Sequence, residues 1–220
     1  MPEQSAHTRI AFLLFEGFDA MDVAGPYEVL RWLPNAEVSF VAKTRGPIRS
    51  EGGGLAFVAP HTLTEIPNPD VIVVPGGEGE LRLRDDAELG RWLRDAQARG
   101  AWTVSVCTGA LLLGAAGLLR GKRATTHWLA FEELGQFGAT AERARYVFDG
   151  KLVTAAGVSA GVDMALALAA KLRSTEVAQA IQLGIEYDPE PPFESGSPAR
   201  APTALVSQLR AMSRFNRPAA

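Results

Sequence analysis

The chain has one cysteine, Cys107, in 220 residues. That excludes an internal disulfide and fits a reducing cytoplasm, where thiols stay free. Histidine is nearly as scarce. His7, His61 and His127 are the only three, and they have none of the close spacings that zinc ligands take, so no zinc is expected. Positive charge is not in excess either: the formal net charge is -3, the wrong sign for a nucleic-acid-binding face. No apolar run reaches the ~18 residues of a membrane-spanning helix. The longest candidate, residues 104–119, is interrupted by Ser105, Thr108, Gly109, Gly114 and Gly117. The opening Met1-Pro-Glu-Gln-Ser-Ala-His7 lacks the basic and apolar blocks of a secretion signal.

What is present is a chain 47% hydrophobic and 21% charged, enough for a sizeable core in one α/β domain. Short apolar runs at residues 9–15 and 70–74 read as strands buried on both faces. The run Thr103-Val-Ser-Val-Cys107-Thr108-Gly109, followed by an Ala/Leu-rich stretch, reads as a third buried strand turning sharply into a helix. Residues 47–51 and 55–58 around Gly52-Gly53-Gly54, and residues 144–148 and 151–154 around Asp149-Gly150, read as hairpins. Helices are expected with Pro26 in the first turn of the first, then over 80–99, 110–119, 128–134, 158–172, 175–187 and 203–214. The proline-rich stretch 188–202 is neither helix nor central strand. It is expected to dock on the domain, since Tyr187 and Phe193 would otherwise stand exposed. Strands alternating with helices imply a doubly wound, mostly parallel sheet with helices on both faces and one or two added hairpins. No repeat or linker divides residues 1–220.

Ligand sites in such folds lie at the carboxyl ends of the strands. Cys107 sits there at a strand-to-helix elbow, where unpaired N–H groups and the helix dipole lower a thiol pKa. The N–H groups of Thr108 and Gly109 are expected to face outward and hold developing negative charge. Asp22, after the first strand, is the expected partner, a carboxyl raised by burial and by a neighbouring thiolate into a usable acid. Asp19 is its rival, and either fits a helix cap. Gly77 is expected to turn an N–H into the same pocket, and His127 to reach its rim. The tryptophans Trp32, Trp92, Trp102 and Trp128 are read as core or interface.

The motifs Ile10-Ala-Phe-Leu-Leu-Phe, Met21-Asp22-Val-Ala-Gly-Pro, Val74-Pro-Gly-Gly77, Ser105-Val-Cys107-Thr-Gly and Ala124-Thr-Thr-His127-Trp resemble those of the ThiJ/PfpI superfamily over nearly the whole chain. These are flavodoxin-like relatives of class I glutamine amidotransferase domains. Within it, the tail from Gln182 to Pro198 is similar to that of the isonitrile hydratase family. The resemblance implies a cofactor-free hydro-lyase that turns an isonitrile into an N-substituted formamide, and a homodimer. It also implies Cys107 as nucleophile, Asp22 as the acid, and Thr108 and Gly77 around the pocket. Thr154-Ala155-Ala156-Gly157 is less glycine-rich than the corresponding loop of relatives, which bears on pocket shape. Two other readings accompany this one. A ligand-sensing domain would need a DNA-binding domain after Tyr187, where only a tail and one helix follow. A deglycase, glyoxalase or peptidase of the same superfamily would lean on His127 as a base.

Overall fold

The computed structural model describes residues 7–216. Residues 1–6, whose composition argued against a secretion signal, lie outside the described residues. Strands β1 (Thr8–Leu13), β2 (Ala36–Ala42), β5 (His61–Thr62), β6 (Val71–Val74), β7 (Trp102–Ser105), β10 (Tyr146–Asp149) and β11 (Leu152–Ala155) form one sheet in the order β10-β11-β7-β6-β1-β2-β5. All its neighbours are parallel except the β10–β11 hairpin. A second hairpin pairs β3 (Gly46–Arg49) with β4 (Ala56–Ala59). The two-residue strands β8 (Arg123–Ala124) and β9 (Thr140–Ala141) pair in parallel as a separate small sheet.

The apolar runs are buried as their composition demands. Ile10, Ala11, Phe12 and Leu13 in β1, and all four residues of β6, have lost their solvent contact, which strands covered on both faces require. Helix α1 (Ala20–Leu30) packs on α4 (Ala160–Leu172), and α4 on α5 (Thr175–Gly184), while α2 (Ala87–Ala98) packs on α3 (Gly109–Ala115). The result is a doubly wound α/β fold with a mostly parallel sheet. From β1 the chain winds one way to β2 and β5, then returns to β6 on the other side. The carboxyl ends of β1 and β6 therefore flank a topological switch point, where a crevice opens.

Several helix boundaries differ from the sequence reading; α3 ends at Ala115 rather than 119 and α5 at Gly184 rather than 187. Pro26 lies well inside α1 rather than in its first turn, and Asp19 caps the helix by accepting the N–H groups of Met21 at 2.9 Å and Asp22 at 3.3 Å. The expected helix over 80–99 is two pieces, a 3-10 segment Glu78–Leu83 and α2. Asp86 breaks it by capping the N–H of Leu89 at 3.0 Å. The last helix, α6 (Thr203–Met212), is shorter than expected and buries no residue. No helix among the described residues is long and apolar enough to cross a membrane.

Candidate active site

Cys107 follows β7 with φ 55°, a left-handed backbone that a side-chain-bearing residue adopts only when its surroundings hold it there. They do so from both sides. Its N–H donates to Ala156 O at 2.8 Å, and its carbonyl accepts from Thr126 Oγ1 at 2.7 Å. Close packing underneath explains two glycines. A Cβ on Gly76 would lie 2.5 Å from both the nitrogen and Oγ1 of Thr108, and one on Gly109 would lie 2.7 Å from Pro75 O. The elbow can sit against the β6 turn only because both positions lack a side chain.

Asp22 lies in the first turn of α1 and is wholly buried. Its Oδ2 accepts the N–H of Gly76 at 2.8 Å, and its Oδ1 has no hydrogen-bond partner. Asp19 is spent on the cap, so of the two aspartates only Asp22 keeps a buried oxygen without a hydrogen-bond partner. Burial, chiefly, with the charges of Asp19 and Glu51, pushes Asp22 up to about 8 against the pull of the Gly76 N–H. At neutral pH it is a carboxylic acid, able to donate a proton.

The thiol differs from the sequence expectation. Burial first, then the Asp22 charge, push Cys107 up rather than down, although the N–H groups of Thr108 and Val158 point at the sulfur and favour its ionised form. The physical reason is plain. Only 7% of the residue is exposed, and α3 runs just seven residues, so little dipole offsets the desolvation. Cys107 and Asp22 thus hold their protons together in the resting site.

The expected oxyanion donors divide. Thr108 N–H faces the sulfur. Gly109 N–H does not face the pocket; it closes the elbow turn by donating to Val106 O at 2.9 Å. Gly77 N–H is likewise committed, to Thr108 Oγ1 at 3.1 Å, so Gly77 orients Thr108 instead of facing the pocket. Val158, with φ 25°, supplies the N–H that the sequence reading had not assigned. No side-chain signal marks it, or Ala156, because both act through backbone atoms. Thr126 carries a hydroxyl, but nothing in its spacing points that hydroxyl at Cys107 O.

A cavity of about 590 Å³, a size suited to a small organic ligand, is lined by Thr126 and Ala156, the residues that bond the Cys107 backbone, though not by Cys107 or Asp22 themselves. His127, Trp128 and Phe131 form one wall, Ala156, Gly157 and Val158 another, and the tail residues Gly196 to Arg200 a third. The loop after β11 flanks the cysteine through the Ala156 carbonyl, which accepts the Cys107 N–H. His127 lines this cavity. Burial holds its imidazole below the ordinary histidine range, and its Nδ1 accepts the N–H of Leu129 at 3.3 Å. Its proton then sits on Nε2, so the ring is a neutral donor and not a free base. Tyr187 packs on the core and donates to Asp163 Oδ1 at 2.7 Å, whereas Phe193, expected to be covered, is 76% exposed. Among the described residues no three of His, Cys, Asp and Glu are placed to hold a metal ion.

Comparison with known proteins places this geometry. The chain is similar to isonitrile hydratase of Pseudomonas putida, 46% identical over 202 residues that cover 92% of this chain and 88% of that one. A ThiJ/PfpI family protein from Pseudomonas syringae, known by crystal structure, superposes with a TM-score of 0.91 at 39% identity, over 95% of this chain and 87% of that chain. The HTH-type transcriptional regulator CdhR of Pseudomonas aeruginosa is 30% identical over 176 residues, 76% of this chain but 51% of the regulator. The DJ-1/PfpI family profile matches residues 8–171, which run from β1 through the strained cysteine into the end of α4. With sheet order, elbow and sequence in agreement, the chain belongs to the DJ-1/PfpI family.

Proposed function

We propose that this protein hydrates isonitriles to N-substituted formamides, with Cys107 as nucleophile and Asp22 as the proton-transfer group. The observation that carries the chemistry is a carboxyl held protonated to about 8 beside a strained cysteine. The likeness to isonitrile hydratase over 92% of the chain supplies the substrate class.

The terminal carbon of an isonitrile accepts a proton as readily as it accepts a nucleophile. Asp22 gives its proton to that carbon while the sulfur adds to it, and the thiol proton passes to the carboxyl oxygen left bare. The product is a thioimidate with a new C–S and a new C–H bond, and Asp22 ends protonated. Water then adds to the same carbon. Asp22 protonates the nitrogen and takes a proton from the water, giving a tetrahedral adduct. Collapse breaks the C–S bond, returns a proton to sulfur through Asp22, and releases the formamide. The N–H groups of Thr108 and Val158 stabilise negative charge on sulfur as it enters and leaves. This replaces the resting thiolate of the sequence reading with a thiol ionised during attack.

Three further features belong to the same reading. The tail 188–202 stays docked, supported by its contribution to the cavity wall. The chain forms a homodimer, supported by Leu205, Leu209 and Met212 exposed along α6. It works in the cytoplasm, supported by its single, buried, free cysteine.

The test is purified protein with an alkyl or aryl isonitrile, followed by loss of the isonitrile stretch in the infrared and by formamide in the mass spectrum. Turnover that vanishes in Cys107→Ala is expected. Methylglyoxal consumption without formamide would replace hydration with the deglycase-type reading.

A further inference from the structure

The family match ends at residue 171, yet a residue far beyond it reaches back to the active-site turn. Arg214 lies in the 3-10 segment Arg214–Asn216 after α6. Its guanidinium makes three hydrogen bonds to the turn after β6: to Glu78 O at 3.0 Å, to Gly77 O at 3.3 Å and to Glu80 Oε1 at 2.7 Å. That turn carries the two N–H groups on which the site depends. Gly76 N–H holds Asp22, and Gly77 N–H holds the hydroxyl of Thr108. We infer that Arg214 is a positioning residue for the hydration chemistry, a clamp from outside the family-matched residues that fixes the Gly76–Gly77 amides against Asp22 and Thr108. This rests on the assignment of Asp22 as the reaction's acid.

The geometry separates this role from simple ion pairing. Glu80 is already satisfied by Arg84, which reaches both its oxygens at 2.9 Å. What Arg84 does not reach is the pair of carbonyls, and a planar guanidinium with several fixed donors is suited to bridging them and a carboxylate together. Gly77 has φ 121°, and a Cβ there would meet Asp19 N at 2.6 Å, so the turn is tightly placed on one side by the Gly17–Asp19 backbone. Arg214 closes the other side. The neighbouring Arg210 differs: its guanidinium lies 5.8 Å from the Trp128 ring centre. The groups acting on Asp22 are Asp19, Glu51 and the Gly76 N–H. Arg214 reaches two of them, the amide through the turn and Glu51 through its charge, since Glu51 Oε2 accepts the N–H of Glu78 at 3.0 Å and the Arg214 cation favours its ionised form; Arg214→Lys, which keeps the charge, separates the two.

The experiment is an infrared titration of the protonated Asp22 carboxyl, isolated by subtracting the spectrum of Asp22→Asn. Wild type, Arg214→Ala, Arg214→Lys and Arg210→Ala are compared in the full chain. Loosening the Gly76 amide removes a bond that favours the carboxylate. The Asp22 midpoint is therefore expected to rise by about half a pH unit in Arg214→Ala, roughly a threefold change in the ionised fraction. Arg214→Lys keeps the charge beside Glu80 and loses the fork, so its midpoint also rises even if Arg214→Ala folds poorly. Arg210→Ala leaves it in place. A wild-type midpoint in the folded Arg214 variants overturns the inference. Absence of formamide from the wild type would instead overturn the hydratase reading, and the titration would still decide the clamp.

Discussion

Two carboxyl groups are wholly closed off from solvent on either side of the turn after β6, Asp22 and Glu80, and the protein treats them in opposite ways. Glu80 is met by the guanidinium groups of Arg84 and Arg214. Asp22 is met by one amide and no cation, and one of its oxygens has no partner at all. A buried carboxylate with arginines around it is an anchor, because its charge is neutralised where it sits. A buried carboxyl without them keeps its proton, and a proton held near neutral pH is available for chemistry. Burial alone therefore does not hold a proton on a carboxyl near neutral pH; burial without a counter-charge does.

Exchanging each group for its amide breaks the comparison most sharply. Asp22→Asn removes the proton donor and is expected to slow isonitrile turnover by at least about a hundredfold, the usual contribution of a positioned acid. Glu80→Gln leaves Arg214 without a carboxylate partner, while Arg84 keeps Glu133 at 3.3 Å, and is expected to cost on the order of 3 kcal/mol of stability. Its activity per folded molecule should fall far less than that of Asp22→Asn. Steady-state rates with urea melts on both variants check the pair. Equal losses of rate would show that the two carboxyls do not divide chemistry from anchoring.

The second test uses pH. A carboxyl that titrates at 3.8 unfolded and about 8 folded binds more protons in the native state throughout the interval between. Stability must then fall as pH rises from about 4 to about 8, and level off above it. The shift of about four units sets an upper scale of roughly 5 kcal/mol for this loss. Asp22→Asn is expected to flatten that slope and to be the more stable protein at pH 8, despite being the poorer catalyst. Urea melts between pH 5 and pH 9 measure it. An unchanged slope would mean that Asp22 is not the protonated group.

How much of this was legible in the sequence depends on what carries the information. The buried strands at 9–15, 70–74 and 103–106 were readable because a sheet covered on both faces needs uninterrupted apolar runs. The elbow was readable because Cys107-Thr-Gly follows such a run directly. Asp22 was readable as a residue but not as a choice over Asp19, because capping depends on backbone angles that spacing leaves open. The thiol's direction was misread because the motif suggests a helix dipole without revealing that the sulfur is buried and α3 short. Gly77 and Gly109 were found for the right turn with the wrong duty: each carries one N–H, and only coordinates tell which acceptor takes it. Arg214 is invisible from sequence, since 134 residues separate it from Glu80 and no periodicity connects them.

The smallest expected effect touches neither carboxyl and sharpens the contrast by leaving both intact. Gly157 stands in the loop after β11, where a Cβ would lie 2.8 Å from His127 Cδ2 and 3.5 Å from Nε2. Alanine there must push the imidazole aside. The ring is not free to yield, because its Nδ1 accepts the N–H of Leu129 at the start of the Trp128–Phe137 segment. The push therefore passes to Trp128 and narrows the cavity wall, while the N–H of Gly76 still holds Asp22 and the Ala156 carbonyl still holds Cys107. Gly157→Ala is expected to cost about 1 kcal/mol of stability, as small overpacking does. KM for a bulky isonitrile should rise severalfold with kcat nearly unchanged, since ground-state and transition-state binding are lost equally. If kcat fell and KM held, the loop would be acting on the sulfur through Val158 and not on the substrate through His127.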